Sequence, residues 1–230
     1  MAKKMISAAL AVTALTTAAP ASAASFVFSG SVKDNMLTTS AGGISVTAVA
    51  LSAPTLASSP ELAGLANFSE GLGVINRTEG NGSIRNSHTV DNIGGYDFIA
   101  LQFSKAVNLT GMTLNAFSVD GGRTTDKDAW VSYGSFDASA SFASQWQGFL
   151  GRGFEVANNA TLRTNAVGTT WLIGASRSDL TPDDGFKLRA VTAEAVAAVP
   201  EPATWMSMIL GFGVVGGVMR RRTKVNFAIA

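Results

Sequence analysis

The chain has 230 residues, of which 47% are hydrophobic and 14% charged, and its formal net charge is +1. Six of the 17 basic residues lie in the two end segments, so residues 24–199 hold 11 basic and 15 acidic residues and a net charge of −4. This composition argues against a disordered chain and against nucleic-acid binding, which requires clustered cations. The absence of cysteine excludes disulfides, thiol catalysis and thiolate metal sites.

Residues 1–23 have the three-part layout of a secretory signal peptide. Lys3 and Lys4 precede a short apolar centre, and Ala21 and Ala23 supply the small residues that signal peptidase accepts. We therefore expect export across the inner membrane by the Sec translocon, and a mature protein that begins at Ala24. The alternative, an alanine-rich N-terminal helix of the fold, leaves the paired lysines and the Ala-x-Ala junction unexplained.

The body, residues 24–199, alternates apolar and polar residues at the period of a β-strand. Breaks rich in Gly, Asn and Asp separate the alternating segments and suit turns. Short strands separated by turns predict a mainly β domain, specifically a β-sandwich or jelly roll. Residues 137–150 are the one stretch that suggests a short helix or a folded-over loop. The clearest strand segments are 25–32, 44–51, 96–103, 112–119, 129–133, 171–175 and 186–191.

Few residues in the body suggest catalysis. His88 is the only histidine, and no Gly-x-Ser-x-Gly elbow accompanies it, so a Ser-His-Asp triad has little support. His88 is predicted to be a solvent-facing loop residue before a strand. We expect a non-enzymatic body without catalytic residues, and a secreted hydrolase is the least favoured alternative.

Acidic loop residues suggest a weak candidate calcium site. Asp120, Asp126 and Asp128 offer oxygen ligands, as do the pairs at 91–92 and 183–184. Their order does not follow an EF-hand, and acidic loop residues commonly cap turns. The sequence therefore predicts no cofactor, with one structural calcium ion as the alternative.

The tryptophans of the body suggest a second function. Trp130, Trp146 and Trp171 could stack on sugar rings if they were exposed, which makes a carbohydrate-binding module the alternative to a purely sorted surface protein. Trp130 and Trp171 lie within strand patterns, however, where packing in the core is the more frequent role.

Near the C-terminus, residues 203–219 form a 17-residue run without an ionisable group. A helix of that length covers about 25 Å, the short end of what spans a bilayer. Trp205 suits a membrane interface, and Arg220, Arg221 and Arg222 predict that residues 223–230 face the cytoplasm. Gly213 and Gly217 are spaced for close approach of another helix. We predict a transmembrane helix over 203–219; the alternative is a buried core helix.

The order of residues in this tail resembles the PEP-CTERM sorting signal, in its PEPxxW variant, of exported Gram-negative proteins. The resemblance rests on Pro200-Glu201-Pro202, Trp205, the Gly-Phe-Gly of 211–213 and the three arginines of 220–222. Members of that family usually end soon after the arginines, whereas this chain continues through residue 230.

The resemblance implies processing by an exosortase, a membrane protease-transpeptidase, in a host that makes exopolysaccharide and biofilm. It implies that Pro200, Glu201 and Pro202 are the recognition element, that Trp205 and the apolar run hold the chain in the membrane, and that the arginines are a cytoplasmic stop. The expected product lies on the envelope surface or outside the cell. Short motifs in the body, including 71–74, 90–93, 97–103 and 183–188, are similar to the extracellular β-domain often found ahead of such tails and imply no catalytic residues.

Overall fold

The computed structural model describes residues 22–77, 88–117, 126–137, 139–157, 161–162, 165–177, 184–196 and 202–221. Within these ranges the chain forms twelve strands and two helices, which confirms the mainly β prediction. The predicted signal helix lies almost entirely outside the described residues. The chain divides into two compact units, Met1–Val196 and Ala197–Ala230.

The elements follow one another in the chain as β1 (Ala23–Val27), β2 (Met36–Ala41), β3 (Ile44–Ala53), β4 (Glu61–Leu62), β5 (Gly64–Phe68), β6 (Gly71–Ile75), β7 (Val90–Asp91), β8 (Tyr96–Ala116), β9 (Ala129–Gly134), α1 (Phe142–Leu150), β10 (Phe154–Val156), β11 (Gly168–Ala175), β12 (Gly185–Ala195) and α2 (Pro202–Arg221).

β8 is the central strand of the sheet. It runs for 21 residues, and its first half pairs with β3 on one side and with β11 on the other. Its second half pairs with β12, from Ala116 opposite Phe186 to Val107 opposite Ala195. The sequence predicted two separate strands here because the polar residues Ser104 and Lys105 interrupt the apolar alternation.

All twelve strands belong to one sheet with antiparallel pairing. The longest path of paired strands is β10-β9-β11-β8-β12-β6-β5; β3 joins it at β8, β2 and β4 join at β3, and β1 and β7 join at β12. The described strands thus form a large open sheet. The finer prediction, a sandwich or jelly roll of two separate sheets, is not confirmed.

One face of the sheet builds the main hydrophobic core. Alternate residues of β8 are buried here, and Phe103 meets Phe26 of β1 edge-on with ring centroids 5.6 Å apart. β-Branched and aromatic residues suit this pleated, buried surface. Other large side chains of the same cluster are Phe28, Ile99, Leu101, Leu109, Leu114, Trp171, Phe186, Leu188 and Val191.

A second core lies between the opposite face of the sheet and α1. Phe98 and Leu172 contribute from β8 and β11, and Trp146 and Phe149 contribute from α1. α1 begins after Ser141, whose hydroxyl accepts the amide N–H of Ser144 at 3.2 Å, as an N-cap should. The prediction of a short helix within 137–150 is therefore confirmed.

Candidate functional site

The C-terminal helix α2 contains most of the predicted sorting residues. Pro202 is its first residue, a position where the missing amide N–H of proline costs no hydrogen bond. Arg220 is exposed near its end, where a cation is favoured by the helix dipole. Trp205 and Arg221 belong to the helix, but their side chains lie outside the described residues. Pro200, Glu201 and Arg222 also lie outside them.

The described apolar side chains of α2 are exposed to solvent. They point in every direction around the helix, since successive residues are about 100° apart. Their exposed fractions range from 44% to 69% for Met206, Met208, Ile209, Leu210, Phe212, Val214, Val215 and Met219. In the part of the chain that the structure describes, no helix combines the length and apolar character needed to cross a membrane. The predicted span over 203–219 is therefore not confirmed.

The four glycines of α2 lie in open space. Among the residues that the structure describes, no atom lies within 4 Å of a Cβ added at Gly211, Gly213, Gly216 or Gly217, apart from neighbouring backbone of the same helix. Each glycine lowers helix stability by about 1 kcal/mol relative to alanine. The packing of α2 therefore does not require glycine at these four positions.

The last strand of the body ends just before this segment. β12 ends at Ala195, and the amide of Val196 still donates to the carbonyl of Ala106 at 3.2 Å. The hydrogen bonding of β12 with β8 thus continues to Val196.

Two of the three predicted signal-cleavage residues lie in β1. Ala23 pairs with Glu194 and Ala24 with Ala193, both in β12. The side chain of Ala24 is only 6% exposed. Ala21 lies outside the described residues. The bond expected to be cut by signal peptidase is therefore part of a strand in the folded chain.

Among the described residues of the candidate calcium site, Asp126 caps a turn. The carboxylate of Asp126 accepts the amide N–H of Asp128 at 3.1 Å, and the carbonyl of Asp126 accepts the amide of Gly185 at 2.9 Å. The side-chain amide of Asn92 donates to Asp184 at 3.2 Å. Asp120 lies outside the described residues, and within them no group of three or more His, Asp or Glu side chains is arranged to hold a metal ion.

His88 is half-buried rather than fully solvent-facing. Its ring stacks on Phe68 with centroids 6.2 Å apart, and among the described residues no atom hydrogen-bonds its Nδ1. In a Ser-His-Asp triad a carboxylate orients that nitrogen. Burial, and to a lesser degree the charge of Lys187, lower the pKa of His88 below its usual value.

Sequence reasoning missed the buried Lys187. Its side chain is 3% exposed, and its ammonium group lies 3.9 Å from the ring centroid of Phe68 and 4.5 Å from that of Phe117. The same group donates to the carbonyl of His88 at 2.6 Å. Cation–π contact and a charge-assisted hydrogen bond together compensate for the loss of hydration. Phe186-Lys187-Leu188 has the ordinary alternation of a strand with one exposed face, so the burial of Lys187 could not be predicted from this pattern.

The tryptophans of the body are core residues. Trp130, Trp146 and Trp171 are each at most 3% exposed. None of them forms an exposed platform on which a sugar ring could stack.

The comparison with family models gives a match in the C-terminal segment. Residues 198–222 match the model described as the PEP-CTERM protein-sorting motif. The chain carries a PEP-CTERM sorting motif. This motif indicates an exported protein that an exosortase processes and sorts to the cell envelope. Searches of curated proteins and of solved structures gave no match to the chain.

Proposed function

We propose that the protein is a non-enzymatic surface or extracellular-matrix protein, exported by the Sec translocon and released or re-attached by an exosortase. The observation that carries this proposal is the PEP-CTERM motif over residues 198–222, which directly follows the last strand of the body. Two prolines around Glu201 favour an extended backbone there. A protease binds its substrate in that form.

In this proposal α2 holds the precursor in the inner membrane until the cut is made. The support is the ring of exposed apolar side chains around α2, because large exposed apolar surface marks a membrane or protein interaction site. Arg220 and its two neighbours then stay on the cytoplasmic side. The anchor is lost with the cut.

The body serves as the sorted cargo and acts in the matrix without catalysis. Two described polar groups support this role: the carboxylate of Asp126 accepts the amide N–H of Asp128 in a turn, and His88 packs on Phe68. An exopolysaccharide-rich envelope is the surrounding that the sorting motif suggests for this cargo.

Intact-mass analysis and terminal sequencing of the exported protein test the proposal. In a host with an exosortase we expect a product that begins at Ala24 and lacks residues 203–230. Replacing Pro200, Glu201 and Pro202 together by alanine should leave the tail attached. Glu194→Ala, which removes a nearby carboxylate from β12 outside the motif, should be processed normally.

The decisive comparison is the same strain without its exosortase. If the secreted protein retains Arg220–Arg222 in the presence of the enzyme, or loses them equally in its absence, exosortase sorting is wrong for this chain.

A further inference from the structure

The expected signal-cleavage bond, between Ala23 and Ala24, becomes part of the sheet when the body folds. In β1, the residues from Ala23 to Val27 pair in register with those from Glu194 to Ala190 of β12, and the amide of Phe28 extends the ladder to the carbonyl of Arg189 at 3.1 Å. The bond therefore lies at the start of a continuous hydrogen-bonded strand.

Side-chain burial holds β1 in place as well. Ala24, Phe26 and Phe28 face the main core and are at most 6% exposed. Ala24 also packs closely on the turn between β2 and β3, since a Cβ added to Gly42 would lie 3.0 Å from the Cβ of Ala24. Lifting β1 from the sheet would expose both phenylalanines to water, and the loss of their hydrophobic burial opposes this opening.

β1 is the first strand of the body and its partner is the last. Among the described strands β1 pairs with β12 alone. A chain exported from its N-terminus presents β12 only after the other strands have crossed. β1 therefore has no hydrogen-bonding partner during most of export. For that time the bond between Ala23 and Ala24 lies in an unpaired segment that signal peptidase can reach.

We propose that docking of β1 on β12 protects the bond between Ala23 and Ala24 from signal peptidase, so that the signal peptide has to be removed before β1 docks. This inference rests on the proposed export with a cut after Ala23. A protease cuts a folded segment only through its locally opened form. A precursor that folds before it is cut is therefore trapped with its signal peptide attached.

The test measures cleavage of the purified full-length precursor by signal peptidase in detergent, with the product identified by N-terminal sequencing. Unfolded precursor should be cut between Ala23 and Ala24, and folded precursor should be cut at least about tenfold more slowly. Phe26→Asp, which places a charge in the core, should restore rapid cutting of the folded protein. Val27→Asp is the matched control, because Val27 is 44% exposed on the same strand.

If Phe26→Asp unfolds the whole body, a reversible crosslink between β1 and β12 still tests the protection. Ser25 and Thr192 are directly paired, and the chain has no cysteine of its own, so Ser25→Cys with Thr192→Cys forms a single disulfide between β1 and β12. In urea below the unfolding transition, the oxidised protein should be cut at least about tenfold more slowly than the same protein after reduction.

The outcomes separate this inference from the function on which it rests. Equal cutting rates for folded and unfolded wild type, or for oxidised and reduced double-cysteine protein, would overturn the protection by β1 while leaving the export signal intact. If even the unfolded precursor is not cut after Ala23, the predicted export signal is wrong and the inference is overturned with it.

Discussion

The ring of Phe98 meets the indole of Trp146 edge-on, with centroids 5.0 Å apart. This contact joins β8 to α1, and the Trp146 indole N–H also donates to the carbonyl of Leu56 at 3.2 Å. We expect Trp146→Ala to lower the free energy of unfolding by about 3–5 kcal/mol, because it removes a fully buried aromatic side chain.

Urea unfolding of residues 24–199 measures this effect. Gln147→Ala is the control, since Gln147 is the next residue of α1 and is exposed; its effect should stay within about 0.5 kcal/mol. A loss below about 1 kcal/mol for Trp146→Ala would mean that α1 does not belong to the cooperative unit.

The sequence predicts the mainly β class of the body well, because apolar and polar residues alternate along a strand that buries one face. The segments 44–51, 129–133 and 186–191 all lie within observed strands. β6 was missed as a strand because two of its five residues are glycines. At Gly73 an added Cβ would clash with the carbonyl oxygen of His88, so the need for glycine arises from a neighbour distant in sequence.

The candidate functional site also has some features that the sequence predicts and others that only the structure shows. The sorting motif is a local pattern and could be recognised from consecutive residues. The pairing of Ala23 with Glu194 and the burial of Lys187 arise from contacts between distant parts of the chain. Neither leaves a periodic signal in the sequence, and both required the structure.

The lowered pKa of His88 predicts how stability depends on pH. Burial disfavours the charged ring, so the folded protein binds a proton at His88 less readily than the unfolded chain does. The contribution of His88 is fully present above its unfolded pKa of about 6.5 and is lost as pH falls from there toward the folded value. Urea unfolding at several pH values between 5 and 8 should show this decline.

His88→Asn should remove the slope in that range, because asparagine does not titrate and tolerates the positive φ of 84° at this position. The pKa values of Glu70 and Asp137 are also lowered, by the hydroxyls of Ser69 and Ser139. These carboxylates affect the pH dependence of stability near and below pH 4, which is outside the measured range. An unchanged slope in the variant would show that another group causes it.

Lys187 contributes to the lowered pKa of His88, and the single histidine makes this measurable. The imidazole C–H signals of untagged protein can be followed by NMR during a pH titration. Lys187→Met should raise the pKa of His88 toward its usual value while burial keeps it below that value. Arg189→Met, which removes a cation that is not a cause of the His88 shift, should leave that pKa in place. A Lys187→Met titration identical to wild type would contradict the charge effect.

The spacing of Gly213 and Gly217 predicts a helix-contact face in α2. Both have open space around them within the chain, so alanine is sterically tolerated there. If another helix approaches closely at these glycines, Gly213→Ala with Gly217→Ala should slow removal of the tail severalfold. Gly211→Ala with Gly216→Ala raises helix propensity equally and serves as the control. Intact-mass time courses distinguish the pairs, and equal rates would rule out the contact face.

The register between β12 and β8 determines how the body responds to mechanical load. The two strands are paired from Phe186 opposite Ala116 to Ala195 opposite Val107. A pull applied through the residues after Ala195 acts along the axis of β12, whereas its hydrogen bonds to β8 lie across that axis. Such a force shears the whole ladder at once instead of opening it one pair at a time, so a body tethered by its C-terminal end would withstand drag better than one tethered at a hairpin.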